Sequence, residues 1–133
     1  MTKEELLESK LKEISDLSLL DPGWDGDGSC AVRQETIRSA MRFLNIGHNI
    51  MPIEDVDISP NSNGTVGMEW RTANGFAYVE VGMSTFGWLV KTAEEAWPVD
   101  IVGNTEDIND DFIRHLFSKT KALLFDGINL KTE

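Results

Sequence analysis

Glu69 and Glu80 are the residues whose type and spacing first suggest chemistry. They sit in two alternating apolar runs, Thr65–Trp70 and Phe76–Val81, on either side of Asn74-Gly75. Asn-Gly between such runs is a strong hairpin signal, because both central residues of a type I′ turn need positive φ. A turn centred there pairs Ala73 with Phe76, Trp70 with Val79, Glu69 with Glu80 and Met68 with Val81. Two carboxylates directly opposite each other repel, so the pairing asks for a divalent cation, a basic partner or solvent screening. Neighbouring Asp55 and Asp57, on a strand expected over Asp55–Ser59, extend the acidic character.

The elements that must position these acids follow from periodicity. Thr2 and Glu5 have capping-box spacing, and Leu7, Leu11, Ile14 and Leu17 follow at helical intervals, predicting a helix from Lys3 to Ser18. Ile37, Ala40, Met41 and Leu44 predict a second helix over Gln34–Ile46, with Gly47 as its cap. Strands are expected at Asp55–Ser59, on both sides of Asn74-Gly75, and at Thr85–Lys91 after a turn at Met83-Ser84. The stretch Thr92–Asn109 contains Trp97-Pro98 and reads as irregular, and from Glu94 to Asp111 it holds acids and no bases. A last helix is expected over Asp110–Phe125, ending before Gly127. The expected fold is one α+β domain over residues 1–133, a four-stranded antiparallel meander with helices on one face, in the order α-α-β-β-β-β-α.

Side chains alternate across a strand, so the register defines two faces. One carries Val66, Met68, Trp70, Ala77, Val79, Val81, Phe86, Trp88 and Val90. Val56 and Ile58 join it if a five-residue loop links the first two strands. The other carries Asp55, Asp57, Glu69, Arg71, Tyr78, Glu80, Leu89 and Lys91, with Gly67 and Gly87 beside the glutamates. Glycine inside a strand marks a bulge or a close approach by another backbone.

Twenty-three acids against twelve Lys and Arg give a net charge of −11. That argues against nucleic acid or an anionic membrane as partner, since both need a basic footprint. It suits a basic protein partner, where complementary charge speeds association. The single Cys30 forms no internal disulfide and fits a reducing cytoplasm. No signal-peptide pattern and no 18-residue apolar run is present. Phosphate-loop, dinucleotide, paired-Cys zinc, His-Glu-x-x-His and Gly-x-Ser-x-Gly patterns are all missing, so no cofactor and no catalytic residue is expected.

Between the first two helices lies Asp21-Pro22-Gly23-Trp24-Asp25-Gly26-Asp27-Gly28, a loop on turn chemistry alone. An EF-hand reading fails, because Gly28 at the sixth position puts Gly23 at the first and Gln34 at the twelfth. Trp24 is expected to anchor the loop by packing on the core. Gly23-Trp24-Asp25-Gly26-Asp27-Gly28, Ile58-Ser59-Pro60, Gly64, Met68-Glu69-Trp70 and Val79-Glu80-Val81 together resemble small bacterial and phage proteins. Those carry a Gly-Trp-Asp-Gly-x-Gly-like loop between two helices, then a Pro-containing strand and a Glu-Trp strand end. The resemblance spans Leu20 to Val81 and brings no activity and no catalytic residue.

Three functional expectations result. The first is a non-enzymatic inhibitor, immunity protein or antitoxin-like domain, docking Asp55, Asp57, Glu69 and Glu80, with Arg71 and Tyr78 as anchors, on a basic protein such as a nuclease. The acidic Glu94–Asp111 segment is a second docking candidate. An alternative is a divalent-metal module or metal-dependent enzyme using the same carboxylates. The third is a structural subunit that forms a homodimer through Phe76, Tyr78 and Leu89.

Overall fold

Aromatic side chains fasten two helices to one side of a sheet, and this decides which sheet face is left for function. The computed structural model describes residues 1–93 and 99–126. Helix α1 (Lys3–Asp16) is followed by a 3-10 turn at Leu17–Leu19, and helix α2 spans Gln34–Gly47. Five strands follow, β1 (Asp57–Pro60), β2 (Val66–Thr72), β3 (Gly75–Val81), β4 (Thr85–Thr92) and β5 (Val99–Asn104), before helix α3 (Asp110–Leu124). The sheet is antiparallel in the simple order β1-β2-β3-β4-β5. The α+β antiparallel architecture is as expected, but with five strands rather than four. The added strand lies in the stretch read as irregular. Trp97-Pro98 and Gly127 fall outside the described residues.

Two of the three helices start at a side-chain cap. The Thr2 hydroxyl accepts from the Glu5 amide and the Glu5 carboxylate accepts from the Thr2 amide, both at 3.1 Å, closing the capping box. Asn109 caps α3 by accepting from the Phe112 amide at 2.8 Å. Helix α2 has no side-chain cap at all. Gly47, expected as a cap, is instead the last residue of α2. A Cβ there would lie 2.4 Å from a Phe117 ring carbon, so the glycine lets α3 close on α2.

The apolar face emerges as read. Val66, Met68, Trp70, Ala77, Val79, Val81, Phe86, Trp88 and Val90 are all buried, under Phe43 and Leu44 of α2 and Ile113, Leu116 and Phe117 of α3. Phe117 stands edge-on to Trp88 (centroids 4.7 Å apart) and to Trp70 (5.8 Å), the geometry favoured by ring quadrupoles. Both indole N–H groups have acceptors: Trp70 donates to the Pro52 carbonyl at 2.9 Å and Trp88 to the Thr120 hydroxyl at 3.0 Å. Arg42 of α2 ties down the approach to α3, donating to the Thr105 and Ile108 carbonyls and to the Asp110 carboxylate.

The β3–β4 register matches expectation, with Val79 beside Trp88, Val81 beside Phe86 and Ala77 beside Val90. The β2–β3 register does not. Thr72 pairs with Gly75 and Trp70 with Ala77, so the turn is centred on Ala73-Asn74, and Glu69 faces Tyr78 rather than Glu80. The reason lies outside the hairpin. Asn74 Nδ2 and the Thr72 hydroxyl both donate to the Leu124 carbonyl, at 2.9 and 3.1 Å, satisfying the exposed end of α3. Gly75, with φ of 151°, is drawn into β3 against β4, where a side chain would strike the Lys91 carbonyl. A slip of two residues preserves the alternation, which is why every face assignment on β2 and β3 survives it.

Glycine-to-alanine normally steadies a helix by about 1 kcal/mol. At Gly47 the sign reverses: Gly47→Ala should lower folding stability by about 1–3 kcal/mol, through overpacking against Phe117. Denaturant unfolding measures this, and an increase in stability would contradict the α2–α3 contact described.

Candidate functional site: the open face of the sheet

The face away from the helices is crossed by two rows of side chains set by strand pairing. Asp57, Glu69, Tyr78, Leu89 and Asp100 form one row from β1 to β5. Gly67, Glu80, Gly87 and Val102 form the next. Arg71, Phe76 and Lys91 lie towards one end, where the Arg71 guanidinium sits 5.0 Å from the Phe76 ring centroid. Five of the six residues expected at a partner site therefore share the face. Asp55 does not. It lies exposed in the turn before β1, because the strand begins at Asp57 while the buried Val56 folds into the core.

The two glutamates flank Tyr78 instead of confronting each other. Glu69 is half-buried and 3.5 Å from the Arg71 guanidinium, a loose and largely solvated ion pair. Glu80 is held more firmly: its Oε2 lies 2.8 Å from the Thr65 hydroxyl and accepts from Asn63 Nδ2 at 3.2 Å. Asn61 donates to the Tyr78 hydroxyl at 2.8 Å and to the Thr65 hydroxyl at 3.0 Å. The five-residue β1–β2 loop thus clamps Tyr78 and Glu80. No spacing signal pointed to Asn61, Asn63 and Thr65, since their role depends on a loop conformation that Gly64 permits at φ 88°.

The two strand glycines of the face have different origins. At Gly67 a Cβ would fall 2.6 Å from the Tyr78 hydroxyl, so the tyrosine ring itself demands glycine. At Gly87 a Cβ would meet nothing within 4 Å among the described residues, and its backbone is not in the left-handed region. No neighbour among the described residues explains Gly87. Val102, paired with it on the edge strand β5, is 78% exposed.

The loop between α1 and α2 behaves as its turn residues suggest, with positive φ at Gly23, Gly26 and Gly28. Trp24, however, does not join the buried core. It is half-buried and donates to the Cys30 carbonyl at 2.8 Å, closing the loop on itself. The loop is held to the β1–β2 loop by the Cys30 amide, which donates to the Ser62 carbonyl at 2.7 Å.

Among the described residues no group of three or more His, Cys, Asp or Glu side chains is placed to hold a metal ion. Nor is any described helix long and apolar enough to cross a membrane. No protein-family model, curated protein or solved structure matches the chain.

Burial holds the Tyr78 hydroxyl above its ordinary value of 10.0, against the Asn61 hydrogen bond that lowers it, and the Glu80 and Glu69 charges add to the rise. An unfolded tyrosine ionises near 10.0, the folded one only at higher pH. The stabilisation is whole below pH 10.0 and fades as pH climbs through the raised value. Tyr78→Phe should cost about 1 kcal/mol near neutrality through the lost hydrogen bond and should flatten the alkaline decline in stability. An alkaline decline identical in the variant would contradict the placement of Tyr78.

Proposed function

We propose that this chain is a non-enzymatic protein-binding domain that docks the open, acidic face of its sheet on a basic functional site of another protein. It would act by occlusion, as an inhibitor, immunity protein or antitoxin does. A nucleic-acid-processing enzyme is the sharpest candidate, because a site that binds phosphates is itself basic.

The observation that carries this reading is Gly87. Glycine in a strand interior costs about 0.5–1 kcal/mol relative to alanine. At Gly67, Gly75 and Gly103 a neighbouring side chain or backbone explains the residue, and at Gly87 none does among the described residues. An open floor on an exposed sheet is what an approaching partner requires. Around it stand Glu80, Leu89 and Val102, and along the adjoining row Asp57, Glu69, Tyr78 and Asp100. The aromatic and the arginine of the set, Tyr78 and Arg71, are of types enriched at interface hot spots.

Two other uses of the face find less support. A cation would have to compete for Glu80 with Thr65 and Asn63, and Glu69 is not opposite it. A homodimer through Phe76, Tyr78 and Leu89 would set acids of one copy against acids of the other, and Phe76 is already covered by Arg71. A cytoplasmic setting belongs to the same proposal and rests on the lone Cys30.

The test begins with a basic protein retained from native lysate at low salt, released at high salt, and then purified. Gly87→Val should leave folding stability unchanged or raised while weakening that complex about tenfold or more. Asp57→Lys and Glu69→Lys should weaken it comparably and reduce its salt dependence. These acids are preferable to Glu80, whose reversal would also disturb the β1–β2 loop. Unchanged affinity in all three variants would overturn the proposal.

A further inference from the structure

In a strongly acidic protein, one cavity gathers features that favour a negative charge. It measures about 580 Å³ and lies where the α1–α2 loop, the first turn of α2, the β1–β2 loop and the β3–β4 turn meet. Helix α2 has fourteen residues and begins without a side-chain cap, so its first N–H groups are left to other partners, although Glu35 in the first turn offsets part of the positive helix dipole. Arg33, at the cap position, lines the cavity, and its guanidinium makes no hydrogen bond or ion pair among the described residues.

Thr36 is the independent observation. It is 99% buried, lines the same cavity, and its hydroxyl has no hydrogen-bond partner among the described residues. By contrast the other buried threonine of the helix layer, Thr120, both donates to the Leu116 carbonyl and accepts from Trp88. No fully sealed side-chain N or O atom lacks a partner among the described residues, so the Thr36 hydroxyl opens onto the cavity. The hydroxyl is therefore free to bond to whatever occupies the cavity, water or ligand.

We infer that this cavity binds a small ligand through an oxyanion, a carboxylate or a phosphate, held by Arg33, the Thr36 hydroxyl and the α2 N-terminus. A body with apolar character would lie against Pro22, Ala31 and Met83. The volume suits a small organic molecule rather than a bare ion. Asn63 lines the cavity as well and offers an amide. Of the acids nearby, Glu80 has its Oε2 taken up by Thr65 and Asn63, and Glu35 of the first turn of α2 lies 3.9 Å from the Arg38 guanidinium. The inference is independent of docking on the open sheet face.

Cys30 supplies a convenient reporter, being the chain's single cysteine, exposed, and part of the cavity wall. Inorganic phosphate, phenyl phosphate and benzoate would be titrated at matched ionic strength. Two readouts serve: the rate of Cys30 alkylation by iodoacetamide, and the backbone NMR shifts of Arg33 and Thr36. At least one oxyanion should slow alkylation saturably and move both signals. Benzoate acting alone would identify a carboxylate ligand, and a phosphate acting alone a phosphate ligand. Thr36→Val and Arg33→Gln should each weaken binding about tenfold, with the unliganded melting temperature not lowered. No saturable response to any of the three compounds, or undiminished affinity in either variant, would overturn the inference.

Discussion

The packing of Phe117 against Trp70 and Trp88 is the constraint from which the rest of the structure follows. Edge-on aromatic pairs of this kind contribute about 0.5–1.5 kcal/mol each beyond the area they bury. Here they also set direction. Trp70 and Trp88 lie on one face of neighbouring hairpins, and both reach towards α3. Gly47 removes the side chain that would hold α3 away from α2, and Phe117 fills that space. With α2 and α3 committed to this side, the acids on the alternate strand positions turn outwards. The open face is thus a consequence of where the aromatic residues are, before any question of partner arises.

That logic explains what the sequence discloses. Period-two alternation is a property of each strand alone, so the buried set from Val66 to Val90 was readable without knowing the pairing. Register depends on what the turn touches. The Asn74-Gly75 pattern places both residues in the turn, whereas Gly75 belongs to β3 and the Asn74 side-chain amide satisfies the Leu124 carbonyl at the end of α3, about fifty positions further along the chain. The fifth strand was hidden for a related reason. Its inner position 103 is glycine because a Cβ there would lie 3.0 Å from the Phe86 ring, and the outer position 102 is an exposed valine. The expected apolar-in, polar-out signature is therefore inverted over part of β5. Trp24 misled in the opposite sense: a large aromatic residue in a polar loop suggested a core anchor, but its N–H closes the loop through Cys30.

The candidate site was legible in composition more than in geometry. Asp57, Glu69, Arg71, Tyr78 and Glu80 do share a face, as alternation requires. Their relations differ from a facing pair of carboxylates: Tyr78 stands between the glutamates, and the β1–β2 loop restrains Tyr78 and Glu80 through Asn61, Asn63 and Thr65. Such a restrained tyrosine loses little rotamer freedom on binding, a condition for an effective interface anchor. The cavity beside α2 was not legible at all, since Thr36 and Arg33 gain meaning only when three loops meet around the helix start.

The central claim is that the open sheet face, and not the helical side, meets a basic protein. Site-specific photocrosslinking in native cells tests it most directly, with the crosslinking residue placed either at Leu89 on the sheet face or at the exposed Phe112 of α3. A covalent adduct with one basic protein is expected from position 89, and none with that protein from position 112. The same adduct from both positions, or from position 112 alone, would contradict it.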